Sequence, residues 1–269
     1  MKVVLFCGGQ GLRMGDMTQS APAESVPKPM ATIGPRPVLW HVMRYYAHFG
    51  HRDFVLCLGN RGEVIKEYFR HYDETVSNDF VLSGGGESVE LLNADIADWR
   101  IALIDTGPEA NVGQRLVAVR DQVADEPMFL ANYADGLTDA PLDELVADFS
   151  RRDAVAAFIS VRPSQTFHVL SLADDGAVQR ITHVRDADIW MNGGYFIFRN
   201  EVFDYIRPGE ELVEEPFQRL IDAGKLIAYR HDGFWRAMDT LKEMTELRTL
   251  YESGRSPWTL WQRRNGTGE

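Results

Sequence analysis

The chain opens with a short apolar segment that runs directly into a cluster of glycines, and this junction most constrains the fold. Residues 3–7 are predicted as a strand, and Gly8, Gly9 and Gly11 follow within four positions. Glycines at the end of a strand leave backbone N–H groups open to a ligand, because no Cβ blocks close approach. Such a junction is typical of α/β proteins, whose ligands bind beyond the carboxyl ends of parallel strands.

Apolar strands and amphipathic helices alternate along the first half of the chain. Predicted strands at 54–58, 101–104 and 128–132 are interleaved with predicted helices at 37–49 and 64–72. This order favours an α/β fold with a mostly parallel sheet flanked by helices. The second half is richer in strands, at 154–160, 169–172, 178–182 and 194–198, before helices at 201–206, 215–223 and 240–253.

No low-complexity linker or repeat interrupts this pattern. We therefore expect a single domain over residues 1–254, divided near residue 140, and a tail over 255–269. The tail contains Trp258 and Trp261, which we expect to dock onto the body of the protein or onto a neighbouring subunit.

Charge and composition exclude several classes of function. The 269 residues carry a formal net charge of -12, which would repel nucleic acid and anionic membranes, so a polyanionic ligand needs local cations. Apolar runs are too short for a transmembrane helix or signal peptide, which predicts a cytoplasmic protein. Cys7 and Cys57 lie in apolar strands and are expected to be reduced, buried thiols.

Two cations follow the first strand, Arg13 after the third glycine and Lys28 in the segment Lys28-Pro29-Met30. An arginine fork and a lysine point charge beside open N–H groups predict a nucleotide phosphate site. Neither common glycine motif fits, because Met14 replaces the third glycine of the dinucleotide fingerprint and Gly-Lys-Ser/Thr is absent. A glycine-rich turn after a buried strand remains the structural alternative.

Asp135 and Asp239 are the carboxylates best placed for metal binding. Asp135 follows the predicted strand 128–132, and Asp239 stands before the helix 240–253. Two carboxylates at strand ends can hold one Mg²⁺, with water and phosphate oxygens completing the octahedron. Either residue could instead cap a helix or form a turn, and capping is a strong rival for Asp239.

The remaining side chains show no pattern of zinc ligands and no catalytic nucleophile. The seven histidines lack the spacing of a zinc site, and no Gly-x-Ser-x-Gly or Cys/His arrangement occurs. Chemistry by positioning and charge stabilisation fits phosphoryl or nucleotidyl transfer.

At this point the sequence resembles the sugar-1-phosphate nucleotidylyltransferases, and most closely the glucose-1-phosphate cytidylyltransferases. The resemblance spans nearly the whole chain and is carried by residues 8–13, 28–30, 37–41, 64–69, 105–107, 135–136, 192–194, 233–235, 238–240 and 257–261. The Phe234-Trp235, Met238-Asp239-Thr240 and Pro257-Trp258 segments are particular to the cytidylyl branch.

The resemblance implies a Rossmann-like mixed sheet of the nucleotidyltransferase and glycosyltransferase-A type, with a nucleotide half to about residue 140 and a β-rich acceptor half. It also implies Mg²⁺-dependent transfer of CMP from CTP to a sugar 1-phosphate, release of pyrophosphate, and a homo-oligomer. The implied roles are nucleotide binding by Gly8, Gly9 and Gly11, support of the pyrophosphate by Arg13, neutralisation of phosphate charge by Lys28, and Mg²⁺ ligation by Asp135 and Asp239.

The departures from the family fall mainly on the acceptor side. Leu12 replaces a usual threonine, and the stretch 13–28 is several residues longer than the usual cytidylyl form. The family's Glu-Lys-Pro motif is missing where this chain has residues 182–185, and His168 replaces a glycine that lies against the sugar. The candidate acceptor-binding residues are His168, His183, Arg185, Asn192 and Gly193.

The sequence is also compatible with other functions. The acceptor could be a phosphorylated cyclitol, polyol, modified sugar or phosphonate. A nucleotide-binding regulatory protein without turnover would explain the acceptor-side departures. A glycosyltransferase would share the fold type and the metal carboxylates, although it gives no reason for the cluster from Gly8 to Lys28.

Overall fold

A seven-stranded mixed sheet forms the centre of the protein. The computed structural model describes residues 1–9, 26–164 and 166–265, with side chains up to residue 262. The strands in chain order are β1 Lys2–Phe6, β2 Thr32–Ile33, β3 Arg36–Pro37, β4 Asp53–Leu58, β5 Phe80–Ser83, β6 Ser88–Leu91, β7 Arg100–Asp105, β8 Met128–Asn132, β9 Gly136–Thr138, β10 Ala156–Val161, β11 His168–Leu172, β12 Val178–His183, β13 Met191–Arg199, β14 Leu226–His231 and β15 Trp235–Ala237.

The central sheet has the order β14-β10-β13-β8-β1-β4-β7. All neighbours are parallel except β13, which runs antiparallel to both β8 and β10. The expected α/β fold with a mostly parallel mixed sheet is confirmed. Because β13 lies next to β8, one sheet connects the two halves of the chain.

Helices cover both faces of this sheet. The α-helices are Val38–His48, Gly62–Arg70, Val112–Ala118, Arg120–Val123, Leu142–Arg151, Glu215–Asp222 and Leu241–Glu252. Side chains of a strand alternate between faces, so Val3 and Leu5 pack into one core and Val4 and Phe6 into the other. The segment expected as a helix at 201–206 is a 3-10 helix, Asn200–Tyr205.

Small two-stranded ribbons project from or border the sheet. The pair β11–β12 is an insertion between β10 and β13, whereas β5–β6 precedes β7. A third ribbon pairs β9 with β15 and therefore joins residue 136 to residue 237. This third ribbon brings two distant parts of the sequence to the same edge of the sheet.

The C-terminal tail docks onto the body, as the tryptophans predict. Trp258 is fully buried, and its ring stacks on Phe234 at 5.5 Å between centroids. Trp261 makes an edge contact with Trp40 at 5.9 Å. Among the helices in the described part of the chain, none is both long enough and apolar enough to cross a bilayer.

Candidate active site

Lys28, Asp135 and Asp239 meet at one point beyond the carboxyl ends of the central strands. The Lys28 Nζ donates to Asp135 Oδ2 at 2.5 Å and also to Asp239 Oδ1. The two carboxylates are 104 residues apart in sequence, as the difference between their numbers shows. The Lys28 ammonium therefore brings together the two aspartates that the sequence singles out for metal binding.

Asp135 owes its position to a tight turn after β8. Ala134 has a positive φ of 64°, which an L-residue adopts only when its surroundings enforce it. The Asn132 side chain enforces this turn by accepting a hydrogen bond from the Ala134 N–H at 2.7 Å. The turn directs the chain from the buried strand β8 into β9, with Asp135 between the two strands.

Asp239 reaches the same point through the ribbon β9–β15. Gly136 pairs with Ala237, and the Met238 N–H donates to the Asp135 carbonyl at 3.0 Å. The helix Leu241–Glu252 is capped by Thr240, whose hydroxyl and the Glu243 carboxylate form a capping box. The Asp239 carboxylate is therefore not the helix cap and contacts Lys28 instead.

Lys28 begins a 3-10 turn, Lys28–Met30, in which Pro29 and Met30 are buried. Proline restricts the backbone of this turn, and the buried methionine anchors it to the core below. The lysine side chain is 22% exposed, Asp135 21% and Asp239 49%. The cluster is thus sheltered around Lys28 and Asp135 and opens to solvent at Asp239.

Burial and charge act in opposite directions on this cluster. Burial favours the neutral amine of Lys28, but the two carboxylates outweigh it and the lysine pKa lies above its usual value. Burial raises the pKa of the Asp135 carboxyl, and the Lys28 ammonium opposes that rise. Removal of the ammonium would therefore leave a sheltered carboxylate without its compensating charge.

The donor set fits a magnesium ion that also binds substrate. Both carboxylates already direct an oxygen at one cation, the ammonium of Lys28, so they can reach a common ligand. In the described ranges, no group of three or more His, Cys, Asp or Glu side chains forms a potential metal site. Mg²⁺ in proteins is commonly bound by one or two carboxylates with water and phosphate oxygens completing the shell.

The glycine turn lies beside this cluster, and only its first part is described. Gly8 continues from β1, whereas Gly11 and Arg13 fall outside the described residues. A Cβ added to Gly8 would lie 2.2 Å from the Arg115 guanidinium, but one added to Gly9 would meet no heavy atom of the described residues within 4 Å. The present position of the Arg115 guanidinium thus depends on the absence of a side chain at Gly8.

Arg115 is a residue at this site that sequence reasoning missed. Its side chain is buried, and it donates to the carbonyls of Gly8 at 2.7 Å and Leu58 at 3.0 Å and to the Thr106 hydroxyl at 2.7 Å. One guanidinium therefore joins the carboxyl ends of β1, β4 and β7. In the sequence, Arg115 is a single arginine within the mostly apolar segment 112–119. This pattern does not identify its distant partners.

On the acceptor side, Asn192 and Gly193 lie next to the turn that carries Asp135. The Asn192 Nδ2 donates to Tyr133 Oη at 3.2 Å, and the Gly193 carbonyl accepts from Trp235 Nε1 at 2.8 Å. Tyr133 is two residues before Asp135. The start of β13 therefore contacts Tyr133, in the turn that leads to Asp135, and Trp235, in the strand that leads to Asp239.

His168 and His183 face each other across the base of the ribbon β11–β12. They occupy paired positions, and their ring centroids are 5.3 Å apart. The His183 Nδ1 accepts a hydrogen bond from the Arg185 N–H at 3.2 Å. Arg185 itself is exposed in the short turn after β12. These three residues thus lie on the inserted ribbon rather than on the central sheet.

Comparison with known proteins agrees with this architecture. A sequence model of the nucleotidyl transferase family matches residues 2–253. The probable glucose-1-phosphate cytidylyltransferase of Bacillus subtilis (strain 168) is 35% identical over 263 residues, which cover 97% of this chain and 100% of the relative. The glucose-1-phosphate cytidylyltransferase of Salmonella typhi is 33% identical over 264 residues, with coverage of 97% and 100%.

Solved structures share the fold at much lower sequence identity. A putative glucose-1-phosphate thymidylyltransferase from Bacillus anthracis superimposes with a TM-score of 0.64 at 14% identity, over 93% of this chain and 94% of that one. A UDP-glucose pyrophosphorylase gives a TM-score of 0.67 at 14% identity, over 94% and 99%.

The matched region contains the glycine turn, Lys28, both aspartates and the strands that carry them. Both curated relatives align over their full length, so the match is not confined to one motif. The resemblance to the sugar-1-phosphate nucleotidylyltransferases is confirmed, and the chain belongs to the nucleotidyl transferase family.

Proposed function

We propose that the protein transfers CMP from CTP to the phosphate of a sugar 1-phosphate and releases pyrophosphate, with Mg²⁺ bound by Asp135 and Asp239. The observation that carries this proposal is the convergence of both carboxylates on the Lys28 ammonium at the end of the sheet. The names of the two full-length relatives support the choice of cytidine nucleotide and sugar phosphate.

In the proposed reaction, an acceptor phosphate oxygen attacks the α-phosphorus, and the bond from that phosphorus to the β-phosphate oxygen breaks as pyrophosphate leaves. The attacking atom belongs to the acceptor, so the protein has to orient the two substrates and balance their charge. Lys28 would offset charge on the phosphate oxygens. Mg²⁺, held by the two aspartates, would stabilise the charge that builds up on those oxygens.

The other binding roles are those that the family resemblance implies. The backbone of Gly8, Gly9 and Gly11 would face the nucleotide, and Arg13 would support the departing pyrophosphate. Asn192 and Gly193, next to the Tyr133 turn, would contact the acceptor. His168, His183 and Arg185 would approach the acceptor from the base of the ribbon β11–β12.

The proposal is tested by incubating the protein with each nucleoside triphosphate, Mg²⁺ and a panel of sugar 1-phosphates, while pyrophosphate release is measured. We expect release with CTP and at least one acceptor, and loss of release when EDTA removes the metal. Nucleotide binding without pyrophosphate release from any pair would instead support a regulatory protein. Release that requires UTP or dTTP would correct the donor.

Three further expectations remain predictions. They are the cytoplasmic location, the homo-oligomer, and the division of residues 1–254 into a nucleotide half and an acceptor half. The mass of the protein in solution, measured by light scattering, would test the second.

A further inference from the structure

An unusual group of side chains lies at the two stems of the ribbon β11–β12. Arg162 directly follows β10, and Trp190 directly precedes β13. Their chain neighbours Val161 and Met191 are paired across these antiparallel strands. Arg162 and Trp190 therefore lie side by side where the chain leaves the central sheet and returns to it. Arg230, near the end of β14, completes the group on the neighbouring strand.

Two guanidinium groups contact one indole ring. The Cζ of Arg162 lies 4.5 Å from the Trp190 ring centroid, and the Cζ of Arg230 lies 5.0 Å from it. The ring is held in place because Trp190 Nε1 donates to Asp188 Oδ1 at 3.0 Å. Arginine stacking of this kind fixes the planar donors. Arg162 Nη1 also donates to the Ala187 carbonyl at 3.2 Å, which leaves its Nη2 and the guanidinium of Arg230 to bind an anion.

These two charges are incompletely balanced by the protein. Arg162 Nε lies 3.4 Å from Asp232 Oδ1, but that aspartate side chain is 73% exposed, and such a pair is weak. Within the described residues, Arg230 makes no ion pair with a carboxylate. In a chain with a formal net charge of -12, two neighbouring arginines with one weak partner indicate an anion-binding surface.

The group of Arg162, Trp190 and Arg230 lies on the side of the sheet where the acceptor of the proposed reaction would bind. β13 lies between β8, which leads to Asp135, and β10, which leads to Arg162. Two strand spacings, about 10 Å, separate β8 from β10 across the sheet. β10 also ends beyond β8, because Val161 pairs with Met191 whereas Asn132 pairs with Tyr195. An acceptor whose reacting phosphate lies near Asp135 would extend one sugar ring towards Arg162, with the linked residues Asn192 and Tyr133 on the way.

We propose that Arg162, Arg230 and Trp190 form a subsite for an acidic substituent of the acceptor, such as a carboxylate or second phosphate, distinct from the phosphate that reacts. This inference rests on the proposed function and specifies its acceptor class. The guanidinium groups would bind the acidic substituent through paired hydrogen bonds. The indole would hold the two guanidinium groups in position beside each other.

The test compares acceptors that differ in one acidic group: glucose 1-phosphate, glucuronic acid 1-phosphate and glucose 1,6-bisphosphate, each with CTP and Mg²⁺. We expect a kcat/KM at least tenfold higher for one of the two acidic acceptors than for glucose 1-phosphate. In Arg162→Gln and Arg230→Gln, this preference should shrink towards equality, mainly through a higher KM for the acidic acceptor. Arg162→Lys should retain part of the preference.

Arg180→Gln is the matched control, because Arg180 is exposed on the ribbon β11–β12 and away from Trp190. It should keep the wild-type preference. Pyrophosphate release with glucose 1-phosphate but no preference for either acidic acceptor would overturn the subsite and leave the proposed function intact. An equal loss for all three acceptors in Arg162→Gln would also overturn it. Absence of release with every nucleotide and acceptor would contradict the proposed function itself.

Discussion

At the residue scale, the site depends on a single ammonium placed between two carboxylates. Lys28 contacts Asp135 and Asp239, and Thr240 takes the helix-capping role for which Asp239 was a candidate. The carboxylates are thus available for a cation, whether the ammonium of the free protein or a metal ion that arrives with substrate. Under the proposed function, Mg²⁺ would bind to the two carboxylates that contact the ammonium in the free protein.

We expect Asp135→Asn and Asp239→Asn each to lower kcat about a hundredfold or more, because loss of metal-assisted stabilisation costs several kcal/mol. Steady-state pyrophosphate release measures the effect. Asp153→Asn is the matched control, since Asp153 pairs with Lys225 at 2.5 Å in an exposed ion pair elsewhere. Near-normal turnover in both site variants would contradict the assignment of the two carboxylates to a metal.

Lys28→Ala is expected to lower kcat more than it raises the KM for nucleotide, if the ammonium contact strengthens in the transition state. Lys225→Ala, which removes a lysine from the exposed pair with Asp153, provides the control. Initial rates at varied CTP concentration separate the two constants. A change confined to KM would show that Lys28 only binds the ground state.

The sequence could predict the charged residues of the site but not all of the groups that position them. Asp135 follows a predicted strand, Asp239 precedes a predicted helix, and Lys28 begins the segment Lys28-Pro29-Met30. These are local features of the sequence. Arg115 could not be found in this way, because its partners Gly8, Leu58 and Thr106 come from three other segments. Buried polar contacts of this kind depend on the packed structure.

At the element scale, the sequence predicts β1, β4, β7, β8 and β10 of the central sheet, because short apolar runs specify buried strands. It does not predict β14, whose residues are only partly buried. The ribbons β2–β3 and β9–β15 could not, since strands of two or three residues carry no periodic pattern. The sequence also does not reveal that β13 runs antiparallel to its neighbours, because the periodicity of apolar residues is the same for both strand directions. The short ribbon β9–β15 nevertheless positions Asp239.

The junction of β1 with the glycine turn yields a stability prediction. Gly8→Ala should lower the free energy of unfolding by about 1–3 kcal/mol, because the new Cβ would overlap the Arg115 guanidinium and force it to move. Urea denaturation without ligand measures this change. Gly9→Ala is the matched control, since its Cβ would meet no heavy atom of the residues that the structure describes, and it should change stability by less than about 0.5 kcal/mol. Equal effects of both variants would contradict the packing role of Gly8.

At the scale of the whole molecule, a buried histidine fastens the C-terminal tail to the first helix of the described chain. His41, in the helix Val38–His48, is fully buried, and its Nε2 lies 2.9 Å from the Ile33 carbonyl. Trp258 Nε1 donates to His41 Nδ1 at 3.4 Å. The neutral ring with a proton on Nε2 satisfies both contacts, so protonation of Nδ1 would remove the acceptor that Trp258 uses.

This contact predicts how stability depends on pH. Burial lowers the pKa of His41 to about 4, whereas a histidine in the unfolded chain titrates near 6.5. Between these values the unfolded chain binds a proton that the folded protein does not, so this contribution is complete above about pH 6.5 and falls as the pH decreases towards 4. His51, whose pKa burial also lowers to about 4, adds to the same trend.

From pH 7 to pH 5, His41 should account for a loss of about 2 kcal/mol in the free energy of unfolding. Urea denaturation at both pH values should therefore show a smaller loss for His41→Gln than for the wild-type protein, even if the variant is less stable at pH 7. His71→Gln, which removes an exposed histidine paired with Glu67, should behave as the wild type does. Trp258 fluorescence would report on the tail in the same experiment, because loss of the buried indole environment accompanies its release. An unchanged pH dependence in His41→Gln would show that the buried histidine does not couple tail docking to acid stability.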